Sequence, residues 1–167
     1  MVKVSLKAVR VDLQTNTPVL LLQEASGMER TLPIFIGPPE ATAIAMILQS
    51  LDTPRPMTHD LMVDVINLLG NILECVVITE LKDRIFYAEL WIRTSSGDLT
   101  KISSRPSDAI AIALRAKCEM FISDDLMDEE GLHLPSDAFD EAAEGSPEDL
   151  VGEFRDFLDT IKPEDFS

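Results

Sequence analysis

The chain has 167 residues, with 14 Lys and Arg against 30 Asp and Glu, a formal net charge of −16. That surplus of acid argues against a general nucleic-acid coat protein, which gains affinity from basic side chains and the counterions they release. A hydrophobic content of 46% excludes global disorder, and with 5% aromatics the core has to be aliphatic.

Residues 2–13 alternate as Val2, Val4, Leu6, Ala8 and then Val9, Val11, Leu13 after a one-residue phase change, the period of a half-buried strand. Runs at 18–23 and 31–36, separated by Ala25-Ser26-Gly27-Met28, predict two more strands, and Gly37-Pro38-Pro39 stops the sheet. A helix over 39–48 follows, with proline at its entrance, Glu40 in its first turn and Ile44, Ile47, Leu48 and Leu51 as the expected core stripe. The second helix has Thr58 as its expected cap and Gly70 as its end. Its apolar face is broad, with Leu61, Val65 and Leu68 beside Met62, Ile66 and Leu69, and its polar flank holds Asp60, Asp64 and Asn67. Strands are predicted at 71–81, 84–93 and 99–103, with turns at Lys82-Asp83 and Ser95-Ser96-Gly97-Asp98. A third helix spans 106–117, with Ala109, Ala113 and Ala116 on one face for close packing, and 120–123 is a last short strand. Strands in neighbouring runs, without strict βαβ alternation, predict an α+β fold.

The charge is unevenly placed. Residues 1–123 carry 12 basic and 14 acidic side chains, whereas 124–167 carry 2 and 16. A nearly neutral body, 1–125, is therefore expected to precede an acidic tail, 126–167, whose stretches at 124–130 and 137–144 are too charged to form a core. Within it, Ser146-Pro147-Glu148 and the spacing of Leu150, Phe154, Phe157, Leu158 and Ile161 predict a short amphipathic helix over 147–161. Cys75 and Cys118 have neither CxxC spacing nor a neighbouring His and read as buried free thiols. The first residues hold no signal-peptide core, and no apolar run approaches the roughly 20 residues that span a bilayer, so a cytoplasmic protein with no membrane partner is expected.

Glycine-rich phosphate loops, zinc motifs and serine-hydrolase elbows do not occur. Polar residues concentrate instead at three helix entrances: Gly37-Pro38-Pro39-Glu40, Arg55-Pro56-Met57-Thr58-His59-Asp60 and Arg105-Pro106-Ser107-Asp108. If the entrances converge, free N–H groups and helix dipoles make an anion site that Arg55 and Arg105 can grip bidentately. Glu40, Asp60 and Asp108 supply oxygen ligands suited to Mg²⁺ or Mn²⁺, and His59 can activate water. The same acids equally suit the dipoles of their own helices, and the arginines equally pair with them.

Four ordered motifs resemble the bifunctional nuclease (BFN) domain family: Leu32-Pro33-Ile34-Phe35-Ile36-Gly37 with Glu40-Ala41; Arg55-Pro56 with Thr58-His59-Asp60-Leu61; Phe86-Tyr87-Ala88; and Arg105-Pro106-Ser107-Asp108-Ala109-Ile110-Ala111. The resemblance covers about 2–125. It implies a mixed, largely antiparallel sheet with three main helices, a homodimer or higher homo-oligomer, and hydrolysis of DNA and RNA phosphodiesters with a divalent metal. Carried onto this chain, the implied catalytic residues are His59, Asp60 and Asp108, the phosphate-binding residues Arg55, Arg105 and Ser107, and the metal ligands Glu40, Asp60 and Asp108. Where family members often place an acid ahead of Arg-Pro-Ser-Asp, this chain has Ser103-Ser104, which implies a weakened metal site. The near-neutral body implies weak, salt-sensitive binding of nucleic acid. The alternative expectation is a non-enzymatic oligomeric binding or regulatory module of the same fold.

Overall fold

The structure, a computed structural model, describes residues 1–12, 15–27, 30–51 and 53–133. The helix expected at 147–161 lies outside the described residues.

Two antiparallel meanders build the molecule. The first comprises β1 (Val2–Asp12), β2 (Thr17–Glu24) and β3 (Arg30–Phe35), and the second β4 (Ile72–Lys82), β5 (Ile85–Arg93) and β6 (Leu99–Ser104). Between them lies β7 (Glu119–Ile122), antiparallel to β1 and parallel to β4, and β8 (Leu132–His133) adds to the edge of β3. The result is one eight-stranded mixed sheet of order β6-β5-β4-β7-β1-β2-β3-β8, which with its helices is the expected α+β architecture. The phase change in β1 is a register shift between Leu6 and Ala8, slightly earlier than the spacing suggests. Leu6 and Val9 therefore share a face with Leu22 and Leu20, while Ala8 pairs with Leu21 on the other.

Among the described residues four helices accompany the sheet: α1 (Pro38–Leu48), α2 (Thr58–Leu68), α3 (Pro106–Ala116) and α4 (Asp124–Glu130). The core joins Leu20, Leu22, Leu32 and Ile34 of the first meander and Val76, Ile78 and Leu90 of the second to α3. Between Pro106 and Ala113 every residue of α3 is buried except Asp108. Each fully buried aliphatic contributes about 1.5–3 kcal/mol, so α3 is the element that most firmly locates whatever it carries.

Several expectations are corrected. In α1 the buried residues are Ala41, Thr42, Ile44 and Ala45, and Leu48 of the expected stripe is exposed. The helix packs against the alanine-bearing face of α3, and small residues on both sides let the two axes approach. The cap of α2 is not Thr58, its first helical residue; the Met57 N–H donates to Asp60 Oδ2 at 2.8 Å. No residue of α2 is buried despite its broad apolar face, and only Val63 and Ile66 pack partly on the core. Leu61, Met62, Val65, Leu68 and Leu69 face outward, Leu68 being 86% exposed. The acidic 124–130 stretch forms a helix that seats Leu126 and Met127 in the core. Ser123 caps it, accepting from the Leu126 N–H while donating to the Thr79 carbonyl at 2.7 Å.

Arg30 ties that helix to the sheet, donating from Nε to Glu24 Oε2 at 2.7 Å and from Nη1 to Asp128 Oδ1 at 2.6 Å. The hydrogen bond from Arg30, aided by Ser26, holds the buried Glu24 carboxyl below the usual carboxylate range. A depressed pKa contributes stability that is complete above about pH 4.3 and lost as pH falls through the folded value. Arg30→Ala should therefore destabilise the fold at pH 7, because Glu24 keeps its charge without its partner. In urea denaturation the gap from wild type should narrow at pH 3.5; an unchanged gap would assign the loss to packing.

Candidate functional site

The site begins with α3, whose buried stretch leaves Asp108 alone pointing outward. Arg105, the residue ahead of Pro106, adopts extended backbone and lays its guanidinium along the helix entrance. Its Nε donates to Asp108 Oδ2 at 2.7 Å and its Nη2 to Asp108 Oδ1 at 3.0 Å, a bidentate pair. Nη1 reaches α1 and donates to Glu40 Oε1 at 2.8 Å. From α2, His59 Nε2 lies 3.2 Å from Asp108 Oδ1. The three helix entrances thus converge through one connected chain, Glu40–Arg105–Asp108–His59.

Electrostatics follow from this wiring. Burial pushes the Asp108 carboxyl up, but hydrogen bonds and charge from Arg105 and His59 outweigh it, so the group lies below its ordinary range. Both acids raise the Arg105 guanidinium, which stays charged. Three of its five N–H donors are engaged, leaving one on Nη1 and one on Nη2 for an anion, and its side chain is 66% exposed. His59, 16% exposed, also lines a cleft of about 250 Å³ with Glu40, Pro39, Ala43, Met46 and Met57.

Asp60 and Arg55 stand apart from this chain. Asp60 turns the opposite way along α2 and binds Arg115 Nε, besides capping Met57. Arg55 is exposed, and its side chain has no hydrogen bond or ion pair among the described residues. Ser107 is buried at the second position of α3. Among the described residues no three His, Cys, Asp or Glu side chains form a set able to hold a metal ion. The expected Mg²⁺ or Mn²⁺ does not fit Glu40, Asp60 and Asp108 as they stand. Arg105 occupies the space between the first and last, and the second is committed to Arg115.

Arg115 is the residue that sequence reasoning missed. In the last turn of α3, with its side chain largely covered, it donates from Nη1 to the Ala111 carbonyl at 3.0 Å and from Nη2 to the Ala43 carbonyl at 3.1 Å, joining α1, α2 and α3. The available signal was a lone cation in a helix otherwise composed of Ala, Ile and Leu beyond its first turn.

Fold and site together define an α+β domain with a His–Asp–Arg–Glu polar chain across three helix entrances. The bifunctional nuclease domain matches residues 20–135, and the chain belongs to that family. It is 42% identical over 164 residues to an uncharacterized protein of Mycobacterium tuberculosis, covering 98% of this chain and 97% of that one. Bifunctional nuclease 2 of Oryza sativa subsp. japonica is 27% identical over 118 residues, 69% of this chain and 36% of the rice protein. Bifunctional nuclease 1 of the same plant is 27% identical over 100 residues, 59% and 30% respectively. The chain thus spans about a third of the rice proteins it matches. No described helix is long and apolar enough to cross a membrane.

Proposed function

We propose that the chain hydrolyses phosphodiester bonds of DNA and RNA at the His59–Asp108–Arg105 site. The observation that supports this is the convergence of a histidine, its carboxylate partner and a half-free guanidinium at one exposed point. With Nε2–H donating to Asp108, the lone pair of Nδ1 is free to take a proton from water. The water oxygen bonds to phosphorus and the bond from phosphorus to the sugar oxygen breaks; that oxygen takes its electron pair and a proton from solvent. Arg105 offers its two free N–H groups to the phosphoryl oxygens as charge develops, and Glu40 and Asp108 hold it in place. No step is routed through a metal, because the carboxylates are engaged by Arg105. The test is cleavage of a labelled oligonucleotide by the full chain at low salt, with and without EDTA. Turnover that survives EDTA is expected; turnover abolished by EDTA and restored by Mg²⁺ or Mn²⁺ would require Arg105 to surrender its two carboxylates to the ion.

A second reading, an oligomeric binding module without turnover, is favoured by α2. Leu61, Met62, Val65, Leu68 and Leu69 expose on the order of 600 Å² of mostly apolar surface, at the upper end for monomers and near the ~800 Å² that each partner gives to a standard interface. The occupant we propose is a second copy of the chain. Light scattering should give a dimer for wild type and a monomer for Val65→Glu/Leu68→Glu with an unchanged far-ultraviolet spectrum. A monomeric wild type at 100 µM, a concentration on the order of that used for weak dimers, would retire the dimer.

A further inference from the structure

Arg105 also lines a second groove, of about 280 Å³, to which His59 does not contribute. Its walls are the end of β3, the β4–β5 turn and the entrance of α3, contributing Phe35, Arg84, Ile85, Phe86, Arg105 and Ser107. In a chain with net charge −16, this lining holds two arginines and no acid. Arg105 is partly neutralised by its carboxylates, whereas Arg84 is exposed with no ion pair or hydrogen bond from its side chain among the described residues. Phe35, at the last position of β3, is 57% exposed, leaving a ring face open beside these cations.

The backbone adds a second observation. Asp83 and Arg84 form a two-residue hairpin turn with φ of 51° and 64°, since Lys82 pairs with Ile85 across it. Such turns favour glycine at the second position. Here a long cation occupies it, in a conformation that L side chains adopt at a cost.

We propose that this groove binds one unpaired base and its phosphate of a single-stranded polynucleotide, Phe35 stacking on the base and Arg84 pairing with the phosphate. The proposal rests on the nuclease reading and extends it: a strand held here passes over Arg105 toward His59. Stacking plus an uncompensated cation is the combination that single-strand grooves use, and it requires a base free of its partner.

The test is fluorescence anisotropy of the full chain with labelled oligothymidylate, its abasic analogue and a matched duplex, over a range of salt. Arg84→Gly should weaken binding of the thymidylate about fivefold and lower the salt slope by about 0.7, with a melting temperature equal to or above wild type. Phe35→Ala should weaken it at least about fivefold with the slope unchanged, and leave the abasic strand unaffected. Thymidylate binding unaltered in both variants, or a duplex whose binding depends on Phe35 as strongly, overturns the proposal. A wild type that cleaves no oligonucleotide but binds thymidylate through Phe35 and Arg84 refutes the hydrolase reading and upholds the groove.

Discussion

Asp108→Asn should lower phosphodiester turnover by about two to four orders of magnitude, the range expected when positioned acid–base catalysis is lost. One carboxylate joins both groups of the proposed site, since Oδ1 faces His59 Nε2 and Arg105 Nη2 while Oδ2 takes Arg105 Nε. An asparagine keeps one acceptor and turns an N–H₂ toward at least one of these donors, so either the ring or the guanidinium loses its anchor. Because the folded Asp108 pKa is depressed, the wild-type carboxylate is ionised through the whole neutral range, and its loss cannot be rescued by raising pH. The decisive measurement is a cycle: His59→Ala, Asp108→Asn and the double variant should show nearly the same residual rate, as expected of groups that act as a unit. Multiplicative losses would mean that the two residues work separately.

Arg115→Ala should destabilise the fold by about 2–3 kcal/mol, the range for losing hydrogen bonds made by a charged group. The side chain is 6% exposed and its three contacts reach three helices, so its removal takes the second donor from the Ala43 and Ala111 carbonyls and the cationic partner from Asp60. For α2 the consequence is disproportionate, since that helix buries no residue of its own and depends on this bracket. Urea denaturation of Arg115→Ala measures the loss, and hydrogen exchange should show the α2 amides exchanging ahead of those in α3. Asp60→Asn is expected to lose about 1 kcal/mol, because the amide oxygen can still accept from Met57. A larger loss in Asp60→Asn than in Arg115→Ala would contradict the bracket.

What the sequence disclosed and what it hid divide along a physical line. Strand alternation, the breaks at Gly37-Pro38-Pro39 and Gly70, and the alanine face of α3 are local signals, and the sheet and three helices follow from them. The concentration of polar residues at helix entrances pointed to Glu40, His59, Arg105 and Asp108, because Pro-flanked first turns holding both an acid and a cation or histidine are not needed for capping alone. Asp60 looked like a fifth member because it follows His59 in the chain, yet successive helical residues lie about 100° apart, and this one swings round to Arg115. The outward face of α2 was illegible for a related reason. Periodicity reports that a helix has an apolar side and says nothing about which body that side meets.

The position of β7 bears on how the molecule forms. Each meander can assemble from neighbouring segments, but the two become one sheet only when four residues, Glu119–Ile122, enter between β1 and β4. Until residue 122 is available, β1 and β4 are both edges, and β1 waits for a partner well over a hundred positions later in the chain. Closure of so long a loop comes late and slowly compared with the hairpins. In the interval the open edges of two strands rich in valine and isoleucine face neighbouring chains. The central seam of the finished sheet is therefore the point at which a nascent or refolding chain is most exposed to aggregation.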